Sequence, residues 1–125
     1  MNSDLKITSE QMQGDVPVTV FRIRGWLDGQ SEEQLLAAAR TAYEGGARYL
    51  LIDMSDLDTI TSAGIRALQK LYQMYTPKED RFKIAHLKLC NAPPQIYNVL
   101  GITGFLQNIP MYENVNGALE SFGKE

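Results

Sequence analysis

The segment between Leu50 and Leu68 constrains the fold of this chain more than any other. It begins with an apolar run at residues 50–52, passes through an acidic stretch, and reaches a small polar stretch at residues 61–64 before an amphipathic pattern starts. A buried strand that leads through a short acidic loop into a helix is typical of this order. Free N–H groups and the positive end of the helix dipole favour an anion at such a helix start. We therefore expect Ser62 to lie where a phosphate can be placed, held or sensed.

The rest of the chain alternates between strand and helix patterns. Period-two or β-branched apolar stretches predict strands at residues 5–8, 16–23, 49–52, 82–85 and 105–109, the first two joined as a hairpin. Helical spacing predicts helices that begin after Ser31, at residues 61–64, at Pro93 and Pro94, and after Asn114. Ser31 and Gln34 have the spacing of a capping box, and a Gly-Gly pair at residues 45–46 stops the first helix.

This order predicts an α/β fold. Helices carry the crossovers between parallel strands, so we expect one mixed, mostly parallel sheet of four to five strands packed with about four helices. The apolar faces of the third and fourth helices would carry Ile96, Val99 and Leu100, and Val115, Leu119 and Phe122. With 125 residues, the chain is long enough for one domain with its own core, and we assign residues 1–125 to it.

Charge and hydropathy exclude several classes of function. The net charge is −3 and basic residues form no cluster, which argues against nucleic acid as a partner. Apolar runs stay far below the 18 or so residues of a membrane span, and the N-terminus has no signal-peptide pattern, so we expect a cytoplasmic protein without membrane insertion. The single cysteine, Cys90, excludes an intramolecular disulfide and a multi-cysteine zinc site.

The chain offers few groups for catalysis. His86 stands alone and is interpreted as a packing residue, and Cys90 has no activating base nearby in the sequence. Phosphate-binding and nucleophile-elbow motifs are absent from the sequence. Asp53, Asp56 and Asp58 could gather around a hard cation, but solvated turn residues are the commoner outcome for the last two. We expect neither an enzyme nor a bound metal or cofactor.

Four short stretches together resemble one known family. They are residues 25–28 (Gly-Trp-Leu-Asp), 51–55 (Leu-Ile-Asp-Met-Ser), 60–65 (Ile-Thr-Ser-Ala-Gly-Ile) and 101–102 (Gly-Ile). The series resembles a STAS domain, and is most similar to the stand-alone anti-sigma factor antagonists of bacteria. The resemblance spans about residues 5–122, and residues 53–68 are its most specific part.

The resemblance implies a partner switch. In that family, a partner anti-sigma factor with serine kinase activity phosphorylates the serine that corresponds to Ser62, and the unphosphorylated antagonist binds this kinase and frees the sigma factor. The surroundings of the site would comprise Asp28, Asp53, Asp56, Thr61 and Gly64.

Two positions depart from the family pattern and leave alternatives open. The family often has aspartate before the serine and a hydroxyl residue after it, where this chain has Thr61 and Ala63. Thr61 is then a second candidate acceptor. Alternatively the protein is a non-phosphorylated STAS scaffold or adaptor of a stressosome-like or lipid-transport complex, and Ser62 only caps a helix. A small-ligand sensor that uses the helix start as an anion site is a third reading.

The helix after Ser62 also predicts a docking surface. Its polar stripe is opposite the apolar face, and consists of Arg66, Gln69, Lys70 and Gln73. We expect this stripe to contact the anti-sigma factor kinase. The sequence does not determine the oligomeric state.

Overall fold

The described residues form five strands and four helices. The structure, a computed structural model, describes residues 4–81, 83–107 and 109–123. The strands are β1 (Lys6–Gln13), β2 (Pro17–Leu27), β3 (Leu50–Ile60), β4 (Leu87–Cys90) and β5 (Met111–Tyr112). The helices are α1 (Glu32–Glu44), α2 (Ser62–Tyr75), α3 (Pro94–Ile102) and α4 (Val115–Ser121), and short 3-10 turns occupy Lys78–Asp80 and Phe105–Gln107.

All five strands join one mixed sheet in the order β1-β2-β3-β4-β5. β1 pairs antiparallel with β2, and the three other pairs are parallel. The predicted α/β class, the mostly parallel sheet and the four helices are therefore confirmed. The predicted hairpin between the first two strands is confirmed as well.

The helices cover the two faces of the sheet unequally. α1, α2 and α3 pack on one face and form the larger core, with residues such as Leu35, Leu68 and Leu100 against Phe21 and Ile52. α4 covers part of the other face, where a smaller core gathers Val18, Val20, Leu51, Cys90, Ala118, Leu119 and Phe122. Because β2 and β3 are parallel and α2 follows β3 directly, the start of α2 lies at the end of the sheet where both strands finish.

The predicted acidic loop after residue 52 is wrong. β3 continues to Ile60 because β2 supplies a pairing partner as far as Leu27, and Leu57 and Ile60 are buried along the way. The register shifts twice in this region, and such irregularities disturb the period-two pattern that identifies a strand. Asp56 and Asp58 are therefore exposed strand residues rather than turn residues.

Two other predicted strands are displaced. The fourth strand is Leu87–Cys90 instead of 82–85, and Phe82 lies outside the described residues. Lys88 obscures the apolar pattern of this strand, although its side chain is buried and donates to Ser121 Oγ over 2.9 Å. The last strand is Met111–Tyr112, whereas the predicted segment 105–109 begins with a 3-10 turn and includes Asn108, which lies outside the described residues.

Local details of the helices also differ from expectation. Ser31 makes no side-chain capping bond, and Gln34 Nε2 donates to the Leu5 carbonyl instead, so the predicted capping box is wrong. Val99 is 37% exposed and does not belong to the buried face of α3. Asn114 caps α4 as predicted, because its side chain accepts a bond from Gly117 N at 2.8 Å.

Candidate functional site

The junction between β3 and α2 is built around Thr61. Its N–H donates to the carbonyl of Leu27 over 3.1 Å, which ties the start of α2 to the end of β2. Its backbone is extended, and its Oγ1 accepts a bond from Gly64 N at 3.4 Å, so Thr61 is the N-cap of the helix. The Thr61 carbonyl accepts the first helical bond, from Ile65 N at 2.9 Å.

Ser62 is the first residue inside α2 and is exposed to solvent. Within the part of the chain that the structure describes, no hydrogen bond engages its hydroxyl. The alternative role of Ser62 as the helix cap is therefore wrong, because the capping oxygen comes from the preceding residue, Thr61. The fold leaves the Ser62 hydroxyl available for chemistry.

Gly64 allows the helix to start so close to the sheet. A Cβ at this position would collide with the carbonyl oxygen of Leu27 and lie 2.9 Å from Ile60 Cγ1. Any side chain would therefore push α2 away from β2 and displace Ser62 with it. Gly64 therefore determines the shape of this junction, and its place in the surroundings of a phosphorylated Ser62 stays a prediction.

Asp28 organises the loop between β2 and α1, which packs beside the first turn of α2. Its Oδ1 accepts bonds from Gln30 N at 3.0 Å and Ser31 N at 3.1 Å. A Cβ on Gly29 would be in ordinary contact with Ala63 Cβ, at 3.8 Å. The Asp28 loop is thus a neighbour of Ser62, but hydrogen bonds within the loop hold the carboxylate of Asp28.

Asp53 lies away from Ser62, so its predicted place in the surroundings of the site is wrong. It pairs with Arg22, five residues before the end of β2, which corresponds to roughly 16 Å along the strand. Its buried carboxylate is 3.5 Å from Arg22 Nε and accepts a bond from Asn91 Nδ2 at 3.2 Å. Asp53 therefore anchors the middle of the sheet.

Asp56 is closer to the junction but belongs to a separate depression. It pairs with Arg24, three residues or about 10 Å before the end of β2. Asp58 accepts a bond from Trp26 Nε1 at 3.3 Å. Arg24, Asp56 and Asp58 line an open cavity of about 390 Å³ together with Asp4, Lys6 and Gly25. No group of three or more His, Cys, Asp or Glu side chains in the described ranges is placed to hold a metal ion.

The polar stripe of α2 is exposed as predicted, but its two cations have an intramolecular partner. Arg66 contacts Glu32 of α1 through Nη2 to Oε1 at 3.2 Å and Nε to Oε2 at 3.3 Å, and Lys70 Nζ lies 3.1 Å from Oε2. These hydrogen bonds, that of Arg66 first, lower the pKa of Glu32, and Glu32 in turn raises the pKa of Arg66. Gln69 and Gln73 are exposed on the same helix.

Glu32 is the residue of this surface that sequence reasoning missed. It lies 34 positions before Arg66, and only the packing of α1 against α2 brings the two together. The sequence does show the four-residue spacing of Arg66 and Lys70, which places both cations on one helix face. It does not show which anion they meet.

His86 and Cys90 are packed into the fold and contact neighbouring side chains. The His86 ring stacks on Tyr49 with centroids 4.7 Å apart, and its Nε2 lies 3.1 Å from Asp80 Oδ2. Cys90 is fully buried, and burial raises the pKa of its thiol to about 12. Such a thiol is not ionised near neutral pH and is a poor nucleophile.

A broad groove of about 1110 Å³ lies between β1 and α1, near the end of α1. Its lining includes Ile7, Ala38, Ala42 and Gly46, and none of the residues around Ser62. No helix formed by the described residues combines the length and apolar character that crossing a bilayer requires.

The chain resembles known proteins over nearly all of its length. The relatives include BtrV of Bordetella bronchiseptica, a provisionally assigned anti-sigma factor antagonist that is 27% identical over 118 residues, or 94% of this chain and 95% of BtrV. An anti-sigma factor antagonist from Mycobacterium paratuberculosis has the same fold, with a TM-score of 0.79, 21% identity, and coverage of 95% of this chain and 94% of the other.

The phosphorylated form of the Bacillus cell fate determinant SpoIIAA is another solved structure with this fold. It has a TM-score of 0.65 and 20% identity, with coverage of 92% of this chain and 97% of that one. The model of the STAS domain family matches residues 9–118. This match, with the mixed sheet and its four helices, shows that the chain belongs to the STAS domain family.

Proposed function

We propose that this protein is an anti-sigma factor antagonist whose partner is an anti-sigma factor with serine kinase activity. In this proposal, the protein binds the partner through the surface around Ser62 and α2, and phosphorylation of Ser62 releases it. The observation that carries the proposal is the exposed Ser62 at the first position of α2, directly after a separate capping residue. The names of BtrV and of the Mycobacterium paratuberculosis protein support the same class of function.

The geometry favours Ser62 over Thr61 as the acceptor. Thr61 is half-buried, and its Oγ1 already accepts the bond from Gly64 N that begins the helix. A phosphate on Thr61 would turn this capping oxygen into an ester oxygen, whereas a phosphate on Ser62 leaves the cap unchanged. The hydroxyl of Ser62 has no role in the helix cap, and it is the phosphorylation site in this proposal.

A phosphate on Ser62 would act at an interface rather than on the fold. It adds about −1.5 to −2 charges at pH 7. Helical spacing places Ser62 on the same face as Arg66, Gln69, Lys70 and Gln73, so the added charge enters the predicted docking stripe. A partner that contacts this stripe would meet both new bulk and new negative charge.

In this proposal, the protein itself is not an enzyme. The switch operates in the cytoplasm, because the partner kinase uses ATP. The partner is a protein, and neither nucleic acid, a membrane nor a cofactor has a role in the switch.

A phosphorylation assay tests the proposal. The protein is incubated with ATP and the anti-sigma factor kinase encoded in the same genome, and the modified residue is mapped by mass spectrometry. We expect one phosphate on Ser62 that is lost in Ser62→Ala. Thr61→Asn is the matched control, because asparagine keeps a capping oxygen and removes the competing hydroxyl. Phosphorylation should persist in it.

The opposite result identifies the alternative function. A stable complex without any phosphate, with an affinity that Ser62→Asp does not change, would contradict the switch. It would assign the protein as a STAS scaffold or adaptor subunit. Phosphate on Thr61 alone would keep the partner class and overturn the choice of acceptor.

A further inference from the structure

We infer that Arg66 breaks its ion pair with Glu32 and binds the phosphoryl group of phosphorylated Ser62. This inference rests on the proposed phosphorylation of Ser62, and it names the residue that responds to it. The ligand is a phosphomonoester dianion, covalently held one helical turn away from the guanidinium.

Ser62 and Arg66 lie close together on one face of α2. Ser62 and Arg66 are four residues apart, so their Cβ atoms are about 5–6 Å apart on one helix face. Side chains on a helix lean toward its N-terminus, which directs Arg66 toward Ser62. The Arg66 side chain is 57% exposed, so solvent rather than packed neighbours surrounds much of it.

The present partner of Arg66 can release it at a limited cost. Glu32 has a side chain that is only 15% exposed, and it contacts two cations. When Arg66 leaves, Lys70 still neutralises the Glu32 carboxylate through the contact at 3.1 Å. The phosphate offers Arg66 a larger charge and three acceptor oxygens, and a planar guanidinium fork binds phosphate oxygens in pairs.

Lys70 is not equivalent to Arg66. It is eight residues from Ser62, which is about 12 Å along the helix axis. Lys70 therefore stays with Glu32, and the exchange involves one cation of the two. Upon phosphorylation the docking stripe gains an anion and Arg66 moves from Glu32 to the phosphate, and both changes disfavour a partner that binds the stripe in its original arrangement.

The test uses protein with phosphoserine incorporated at position 62 during synthesis, so no kinase is needed. A ³¹P NMR titration gives the second pKa of the phosphoserine in four proteins. Arg66→Gln should raise this pKa by several tenths of a pH unit, because the dianion loses its cation. Lys70→Gln is the matched control on the same helix and should raise it less. Glu32→Gln should lower it, because the competing carboxylate is gone.

Equal shifts in Arg66→Gln and Lys70→Gln, or no shift in Arg66→Gln, would overturn the inference. Circular dichroism spectra verify that each variant has the same fold as the parent protein. If a kinase modifies Ser62 but Arg66→Gln leaves the titration unchanged, the inference fails and the proposed function stands. If no kinase modifies Ser62 but the titration shows the coupling, the Arg66 contact is real and the proposed function fails.

Discussion

At the scale of single residues, the site depends on what Thr61 and Gly64 do for Ser62. Thr61 supplies the capping oxygen, and Gly64 lets the first turn of α2 approach the end of β2. Ser62 is positioned by both neighbours and contributes nothing to the cap. This division of roles separates the stability of the junction from the chemistry of the serine.

The close approach at Gly64 predicts a large penalty for the smallest side chain. We expect Gly64→Ala to lower the free energy of unfolding by about 1–3 kcal/mol, since its Cβ would overlap the Leu27 carbonyl and crowd Ile60. Urea denaturation measures the change. Gly101→Ala is the control, because a Cβ on this α3 residue has no neighbour within 4 Å. Equal stability of the two variants would contradict the close approach.

At the scale of elements, side-chain hydrogen bonds join α1 and α2 at two places along their length. Glu32 contacts Arg66 and Lys70 near the start of α1, and Tyr75 at the end of α2 donates from its hydroxyl to the Ala39 carbonyl over 2.7 Å. Tyr75 is only 2% exposed, and burial raises the pKa of its phenol to about 12. These contacts hold the two helices against each other and fix the surface that Ser62 shares with α1.

The buried phenol of Tyr75 predicts a loss of stability at alkaline pH. Its pKa is higher in the folded state than the ordinary value of 10, so its contribution is complete below pH 10 and is lost as pH rises toward 12. We expect Tyr75→Phe to flatten this decline in the free energy of unfolding between pH 10 and 12.

The comparison is made by urea denaturation at each pH. Cys90 contributes in the same direction, because burial also raises its pKa, so the parent and both tyrosine variants all carry Cys90→Ala. Tyr97→Phe removes a half-exposed tyrosine and is the control. A decline that is as steep in Tyr75→Phe as in the parent would argue against burial as its cause.

At the scale of the whole molecule, the sheet and its helices present one continuous surface from Ser62 along α2. The Asp28 loop borders this surface on one side, and Glu32 of α1 holds its two cations in place. A phosphate at Ser62 changes the charge of this surface without entering the core. The fold and the switch are therefore expected to respond separately to substitution.

This separation predicts that Ser62→Asp abolishes binding of the kinase partner and leaves the melting temperature nearly unchanged. Ser62→Ala should bind constitutively, because it lacks the charge and cannot be phosphorylated. Calorimetric titration measures the affinities, and thermal unfolding measures the stability. Wild-type affinity in both variants would exclude Ser62 from the interface.

Reversal of Arg66 and Lys70 to glutamate is a weaker test of the same surface. It should slow association if the stripe contacts a negatively charged partner. The two new glutamates and Glu32 would bring three carboxylates together, so the stability of the variant must be measured alongside its binding.

Local signals in the sequence were sufficient for the helices and for the placement of Ser62. Helical spacing, Asn114 and the glycines at residues 45–46 identify helices without reference to the rest of the chain, because caps and periodicity act within a few residues. The strand-to-helix order around Ser62 is equally local. For this reason the fold class and the position of Ser62 at the start of α2 were predicted correctly.

The tertiary structure decided the extent of β3, the location of Asp53 and the partner of Arg66. A strand continues only where another segment supplies its hydrogen bonds, and β2 does so as far as Leu27. An ion pair forms only where packing brings two elements together, and Glu32 reaches Arg66 across α1 and α2. The sequence by itself determined what each segment tends to form, whereas these contacts between distant segments exist only once the chain has folded.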